Sequence, residues 1–397
     1  MQLNETMTGL GKQRSVIREI FEYAKKRGAE IGNENVLDFS IGNPSVPAPD
    51  SVNETVERLL HETDSVLLHG YTSAQGDAKV RKAMSDFTNS KYGTHTTADN
   101  FYMTVGAAAS LVITMKAMVL PDDEIITFAP FFPEYRVFAE NVGAKFVPVM
   151  SLEGSFQADT QALEEAINEH TKAVIINSPN NPSGVVLSCE TLTKIADVLT
   201  RKSNEYGHSI YLIADEPYRE LVYDGEDVPC ILNFYKESIV CYSFSKSLSL
   251  PGERIGYILV SPDMDGSSDF YAAVCGAGRA LGYVCAPSLF QFVAAECIGQ
   301  TADISIYKRN RDLLVSGLTS FGFDCVRPDG AFYLFMKTPE SDAVAFCEKA
   351  KKYELLLVPA DSFGCPGYVR IAYCVQTEQI ERALPAFKKL AEEYGLC

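Results

Sequence analysis

Apolar residues recur along the chain with two different periods, and these divide it into alternating helices and strands. Ile17, Ile20, Phe21 and Ala24 share one face of a helix over 15–27, which Gly28 ends. Val36 to Ile41 reads as a short strand entering a Gly-Asn-Pro turn, and Ser51-Val-Asn-Glu54 has the spacing of a capping box for a helix reaching about His61. From residue 76 onward, helical spacing near 76–91, 106–119, 132–142, 160–169 and 189–205 alternates with β-rich runs at 100–105, 124–129, 145–149, 172–177, 210–215, 238–243 and 255–260. Runs of this length separated by helices imply βαβ units. The expected fold is α/β, with a mainly parallel seven-stranded sheet sandwiched by helices.

The pattern changes after Pro287. A long helical stretch is expected from about 288 to 319, kinked near Gly299, followed by strands near 322–326, 331–336, 355–358 and 367–374 and helices near 340–353 and 376–394. This predicts a smaller α+β domain. The expected division is a large domain over 46–290 and a small one over 291–397, which the N-terminal segment 1–45 joins. The size of 397 residues suits two domains.

Charge and cysteine content narrow the function classes. The formal net charge is −17, so a general nucleic-acid binder is not expected, because such a surface must displace counterions with basic groups. Local arginines and lysines can still build a cationic pocket in an acidic protein. The eleven cysteines include no CxxC pair, which predicts buried free thiols in a reducing cytoplasm and no metal site. Met1 to Leu10 lacks a basic region followed by an apolar one, so no signal peptide is expected, and no apolar run is long enough to span a bilayer.

Candidate chemistry gathers where strands end, the place where parallel sheets bind ligands. Lys246 follows the run Ile239-Val-Cys-Tyr242 in Ser243-Phe-Ser-Lys246, and Arg254 lies eight residues on. A lone lysine is more often a surface charge. Ser243, Ser245 and Arg254, however, make a set that could grip a phosphate, beside which Lys246 suits a Schiff base with an aldehyde cofactor. Asp215 and Tyr218 end the run Ile210-Tyr-Leu-Ile213; an acid here is either a helix cap or the partner of a pyridine nitrogen. Asn181 sits in Asn177-Ser-Pro-Asn-Asn-Pro-Ser-Gly184, a good turn that also offers a donor. Gly106, Ala107 and Ala108 open a helix with small residues, suited either to packing or to a phosphate at its free N–H groups. Phe132 is a core aromatic or a stacking surface for a ring. Arg370, inside Tyr368-Val-Arg-Ile-Ala-Tyr373, needs a partner: a salt bridge or a substrate carboxylate.

Taken together, these motifs resemble the aspartate-aminotransferase-like (class I/II) family, fold type I of the pyridoxal-phosphate enzymes, from Gly42 to Arg370. The resemblance implies pyridoxal 5′-phosphate as cofactor and an amino acid and a 2-oxo acid as substrates, exchanged by a ping-pong mechanism. It also implies roles. Lys246 is similar to the lysine that carries the cofactor and moves the proton, and Asp215 to the partner of the ring nitrogen. Asn181 and Tyr218 correspond to donors to the ring oxygen, and Ser243, Ser245, Arg254 and the backbone at Gly106, Ala107 and Ala108 to phosphate ligands. Phe132 corresponds to the stacking aromatic, Arg370 to the clamp on the substrate α-carboxylate and Gly42 to the loop beside it. Tyr71 resembles the tyrosine that reaches the phosphate of a neighbouring subunit, which implies a homodimer. Two departures stand out. The family often has Ser, Thr or Lys where this chain has Ala107 and Ala108, and a second, distal arginine has no clear counterpart, Arg279 lying in its general region.

Two rival readings remain. The β-lyase branch of the same fold usually carries His in the Asn-Pro turn and beside the Asp, where this chain has Ser178-Pro-Asn-Asn181 and Asp215-Glu-Pro-Tyr218. A cofactor-binding regulator would need a DNA-binding domain, for which the segment before Gly42 is too short.

Overall fold

Six of the seven β-rich runs are apolar on both faces because both faces are covered; the edge strand Lys145–Met150 alternates with exposed positions. In the computed structural model, which describes residues 3–12 and 15–397, successive residues of each strand enter two separate cores. Val174, Ile176, Leu212, Ala214, Val240 and Tyr242 pack with Leu163, Ile195 and Leu199 on one side. Ala173, Ile175, Ile213, Ile239 and Cys241 pack with Leu111, Met115 and Val274 on the other. A strand buried on both faces reads as a continuous apolar run, which is why strict alternation is missing from the sequence.

The strands lie in the order Phe101–Thr104, Gly256–Val260, Ser238–Ser243, Tyr211–Asp215, Thr171–Asn177, Glu124–Ala129 and Lys145–Met150. Pairs are parallel except those of Gly256–Val260, which runs antiparallel to both neighbours. The link from Ser243 to Gly256 carries only the four-residue helix Phe244–Ser247, too short a helix to carry the chain back across the sheet face, and the next strand doubles back. The register sets Asn177 beside Asp215 and Asp215 beside Cys241, then Ser243 beside Gly256 and Gly256 beside Thr104. One edge of the sheet thus collects the ends of five strands.

The chain divides into two compact units. The larger comprises Val46–Ile304 with Asp329–Ala331, and the smaller comprises the described residues up to Ser45 with Ser305–Pro328 and Phe332–Cys397. Compared with the expected boundary at 290, the larger unit extends to Ile304, because helix Ser288–Glu296 packs on its helices Asp50–Glu62 and Ala78–Tyr92. The smaller unit holds an antiparallel sheet in the order Val358–Pro359, Tyr368–Ala372, Tyr333–Lys337, Asp324–Val326, and a parallel pair of Leu37–Asp38 with Leu355–Leu356.

Several local expectations are corrected. Ser51 does not cap a helix: the helix begins at Asp50 after Pro49, and the Ser51 hydroxyl bonds Gln300 instead. The stretch 288–319 is two helices, Ser288–Glu296 and Ser305–Ser320, separated at Gly299 with φ +81°. The run 355–358 divides between two sheets. Helix Ser267–Leu281, which buries Phe270, Val274, Ala277 and Gly278 along one face, is an element beyond those expected from the pattern.

Candidate active site

The sheet edge that the register assembles carries most of the residues singled out from the sequence. Strand Ser238–Ser243 runs directly into the turn Phe244–Ser247, whose start is held by Ser243 Oγ accepting from the Ser245 amide at 3.2 Å. Lys246 lies in this turn and is partly buried. The hydroxyls of Ser243 and Ser245 meet at 2.8 Å, and Arg254 Nη1 donates to Ser245 Oγ at 3.4 Å and to Pro251 O at 3.0 Å. Arg254 takes a left-handed conformation (φ +53°), uncommon for a residue with a side chain and of a kind found at ligand sites.

Gly106 completes a cradle with these groups. It caps the helix Ala107–Met118 with φ +93°, and a Cβ placed there would stand 2.6 Å from Arg254 Nη2. A Cβ on Gly256 would stand 2.3 Å from Tyr242 O and 3.1 Å from Gly106 Cα, so bare backbones must meet at this point. The first amides of a 12-residue helix, a guanidinium and two hydroxyls therefore adjoin one another. Such a set favours a polyanion such as a phosphate. Ala108 and Arg254 lie on its solvent-exposed side.

Asp215 is fully enclosed. Tyr135 Oη donates to its Oδ2 at 2.5 Å, while Oδ1 is buried with no hydrogen-bond partner. Burial pushes the Asp215 carboxyl up to about 7, against the lowering effect of the Tyr135 hydroxyl and with a further rise from Glu216. Burial, and then the Asp215 charge, likewise hold the Tyr135 phenol well above its ordinary range, so it remains a donor. Asn177 ties the neighbourhood together: Nδ2 donates to Asp215 O at 2.8 Å and Oδ1 accepts from the Asn181 amide at 2.7 Å. Asn181 and Tyr218 are both buried. The Phe132 ring stands edge-on to Tyr135, with centroids 5.6 Å apart.

Tyr135 and Asn177 were not given roles from the sequence. A signal for Tyr135 existed: it stands three residues beyond Phe132, across the turn that opens helix Glu134–Asn141. Its contact with a carboxylate 80 positions away is a tertiary fact. Tyr71 is 99% exposed, and Arg279 is exposed near the end of helix Ser267–Leu281. In the smaller unit, Arg370 is 2% exposed, its guanidinium 4.6 Å from the Tyr333 ring centroid and 5.2 Å from that of Phe363, and Nη2 donates to Ser40 O at 2.5 Å. Aromatic walls of this kind hold a planar cation in a fixed orientation. A Cβ on Gly42 would collide with the Tyr333 hydroxyl, so that loop depends on glycine.

Residues 34–387 match the sequence profile of the family described as aminotransferase class I and II. The chain belongs to that family. It is 29% identical over 367 residues to the aspartate aminotransferase of Thermotoga maritima, covering 91% of this chain and 93% of that protein. Among solved structures, an amino transferase of Eubacterium rectale superposes with a TM-score of 0.98 at 59% identity, covering 99% of both chains. The aspartate aminotransferase of Thermus thermophilus with maleate superposes at 0.85 and 25% identity, covering 98% of this chain and all of that one. This chain is therefore an aminotransferase, an enzyme that moves an amino group from an amino acid to a 2-oxo acid.

Aminotransferases of this family use pyridoxal phosphate. The residues of the larger unit fit such a group. The orphaned Oδ1 of Asp215 calls for a proton donor, ideally a cationic one, and the cradle around Gly106 calls for an anion. A pyridinium ring bearing a phosphate offers both. Among the described residues, no helix is long and apolar enough to cross a membrane.

Proposed function

We propose that pyridoxal 5′-phosphate binds at the sheet edge of the larger unit and that Lys246 holds it and moves the protons of amino transfer. The observation that carries this reading is the buried, unpartnered Oδ1 of Asp215 at the same sheet edge as the anion cradle. When bound, the cofactor supplies a carbonyl carbon that accepts the substrate nitrogen and a protonated ring that withdraws electron density.

The chain's own groups supply the rest. Asp215 Oδ1 accepts the ring N–H, and Tyr135 holds Oδ2 so that the carboxylate cannot rotate away. The amides at Gly106, Ala107 and Ala108, the Ser243 and Ser245 hydroxyls and the Arg254 guanidinium bind the phosphate. Asn181 and Tyr218 donate to the ring oxygen, and Phe132 covers the ring face. Arg370 binds the substrate α-carboxylate, with Gly42 keeping the loop beside it close. Lys246 Nζ would remove the proton from the donor's Cα and, in the second half-reaction, deliver one to the Cα of the acceptor, the work of a positioned general base and acid. The donor leaves as a 2-oxo acid before the acceptor binds, so the kinetics are ping-pong. Tyr71 extends to the phosphate of a second copy in a homodimer, its full exposure in one chain supporting this. The protein works in the cytoplasm, in keeping with its eleven free cysteines.

The test begins with colour. The purified protein should absorb in the visible, and borohydride should fix the cofactor to Lys246 in a peptide map. Lys246→Ala should lose on the order of 10²–10⁴-fold in kcat, the range for removal of a general base. Full activity in that variant refutes the assignment. Amino donors, beginning with aspartate because two of the similar proteins are aspartate aminotransferases, are then ranked against 2-oxoglutarate and pyruvate.

A further inference from the structure

A second set of polar groups, Tyr242 and Ser247 buried and Glu220 half-buried, adjoins the turn that carries Lys246. Tyr242, the penultimate residue of its strand, donates its hydroxyl to Glu220 Oε2 at 2.8 Å and meets Ser247 Oγ at 3.0 Å. Ser247 directly follows Lys246, is 1% exposed, and its carbonyl accepts from the Ala302 amide at 2.8 Å. Glu220 belongs to the segment Asp215-Glu-Pro-Tyr-Arg-Glu220. A chain of two hydrogen bonds therefore joins the segment bearing Asp215 and Tyr218 to the turn bearing Lys246.

The Tyr242 hydroxyl is held in place by packing. Its ring stacks on Tyr257 with centroids 4.8 Å apart and 17° between planes, and stands edge-on to Phe244 at 5.0 Å. Tyr242 is the side chain that hydrogen-bonds Glu220, through its Oε2. The nearby cation Arg219 is taken by Glu216, through Nε–Oε2 and Nη2–Oε1 contacts of 2.5 Å each, and by the carbonyls of Val228 and Pro229 at 2.7 and 3.1 Å. The charged and titratable groups that bear on Glu220 are Tyr242, Arg219, Lys91, Tyr92 and Tyr257, and Tyr242 in turn faces Tyr257. Burial raises the Glu220 carboxyl, with Tyr242 opposing the rise, so the two groups depend on each other.

We propose that Glu220 and Tyr242 are positioning residues for Lys246, acting through Ser247 to lock the lysine's turn in register with the segment that carries Asp215 and Tyr218. This rests on the reading of Lys246 as the cofactor's lysine. Neither residue touches the reacting atoms. Each fixes where the lysine nitrogen stands, and a small displacement of a proton-transferring group is costly in rate.

The experiment compares the holoenzyme with Tyr242→Phe, Glu220→Gln and Ser247→Ala. Tyr242→Phe keeps the aromatic packing and removes one hydroxyl, and Ser247→Ala breaks the same chain one bond further on without touching the aromatic cluster. Three readouts are taken: the pH midpoint of the visible band of the lysine-bound cofactor, kcat and KM separately, and the thermal midpoint. Tyr242→Phe and Ser247→Ala are expected to shift the spectral midpoint by about half a pH unit or more and to lower kcat about tenfold, with KM within about twofold. Glu220→Gln, which still accepts from Tyr242, should fall between them and the wild type. Wild-type spectral midpoints and kcat in both Tyr242→Phe and Ser247→Ala overturn the proposal, whatever happens to thermal stability. Borohydride mapping separates the two levels: a label on another lysine overturns the underlying site reading, whereas a label on Lys246 with unshifted spectra overturns this proposal alone.

Discussion

Replacing Asp215 by Asn should remove a pH dependence that the folded apoprotein carries. Folding encloses the Asp215 carboxyl and raises it from 3.8 to about 7. A carboxyl raised by folding contributes its full stability below its unfolded value, and that contribution is lost as pH climbs through the folded value. The window is thus about pH 4 to 7. A difference of roughly three pKa units corresponds to about 4 kcal/mol in total. Between pH 5 and pH 8 the share lost is about 3 kcal/mol, by the same linkage. Asn has the same shape and carries no charge, so Asp215→Asn should lack this share. The assay is urea unfolding of cofactor-free protein at the two pH values, comparing the change in unfolding free energy between wild type and variant. Adding pyridoxal phosphate should flatten the wild-type slope, because a cationic ring N–H opposite Oδ1 favours the ionised carboxylate. Equal pH slopes in the two apoproteins, within about 0.5 kcal/mol, would show that Asp215 ionises as freely in the fold as in water and would refute the reasoning.

Other perturbations separate the parts of the site. Tyr135→Phe removes the hydroxyl that supports Asp215 Oδ2; a hydrogen bond to a charged group is worth about 1.5–3 kcal/mol, so cofactor affinity should fall at least tenfold at neutral pH in an absorbance titration. Gly106→Ala forces a Cβ against Arg254 at φ +93°, and should cost about 1–3 kcal/mol in denaturant unfolding while weakening binding of inorganic phosphate to the apoprotein. Arg219→Ala leaves Glu216, 4% exposed, without its bidentate partner; the expected loss is about 3–5 kcal/mol, and the double change Glu216→Gln with Arg219→Met should recover much of it in the same unfolding assay.

Tyr242 and Glu220 illustrate how a site of this kind is read. Both stand within or beside motifs that the sequence makes conspicuous, the strand before Lys246 and the segment after Asp215. Neither can be assigned a role until the fold brings position 220 against position 242. The same holds for Tyr135, whose aromatic neighbour Phe132 drew attention while its own hydroxyl decided the state of Asp215.

The order of the strands in the larger unit and of most of its helices, the double-sided burial of the sheet and the grouping of Lys246, Asp215, Asn181 and Arg254 at strand ends all follow from local pattern. Apolar runs bounded by turns depend on residues a few positions apart, and a ligand edge follows from parallel connectivity. Only the tertiary structure decided the rest. It set the reversed strand Gly256–Val260, and it divided 355–358 between two sheets. It also set the partners of buried polar groups. Those outcomes turn on contacts between distant positions, where burial removes water and leaves a hydroxyl or a carboxylate to find whichever partner the fold supplies.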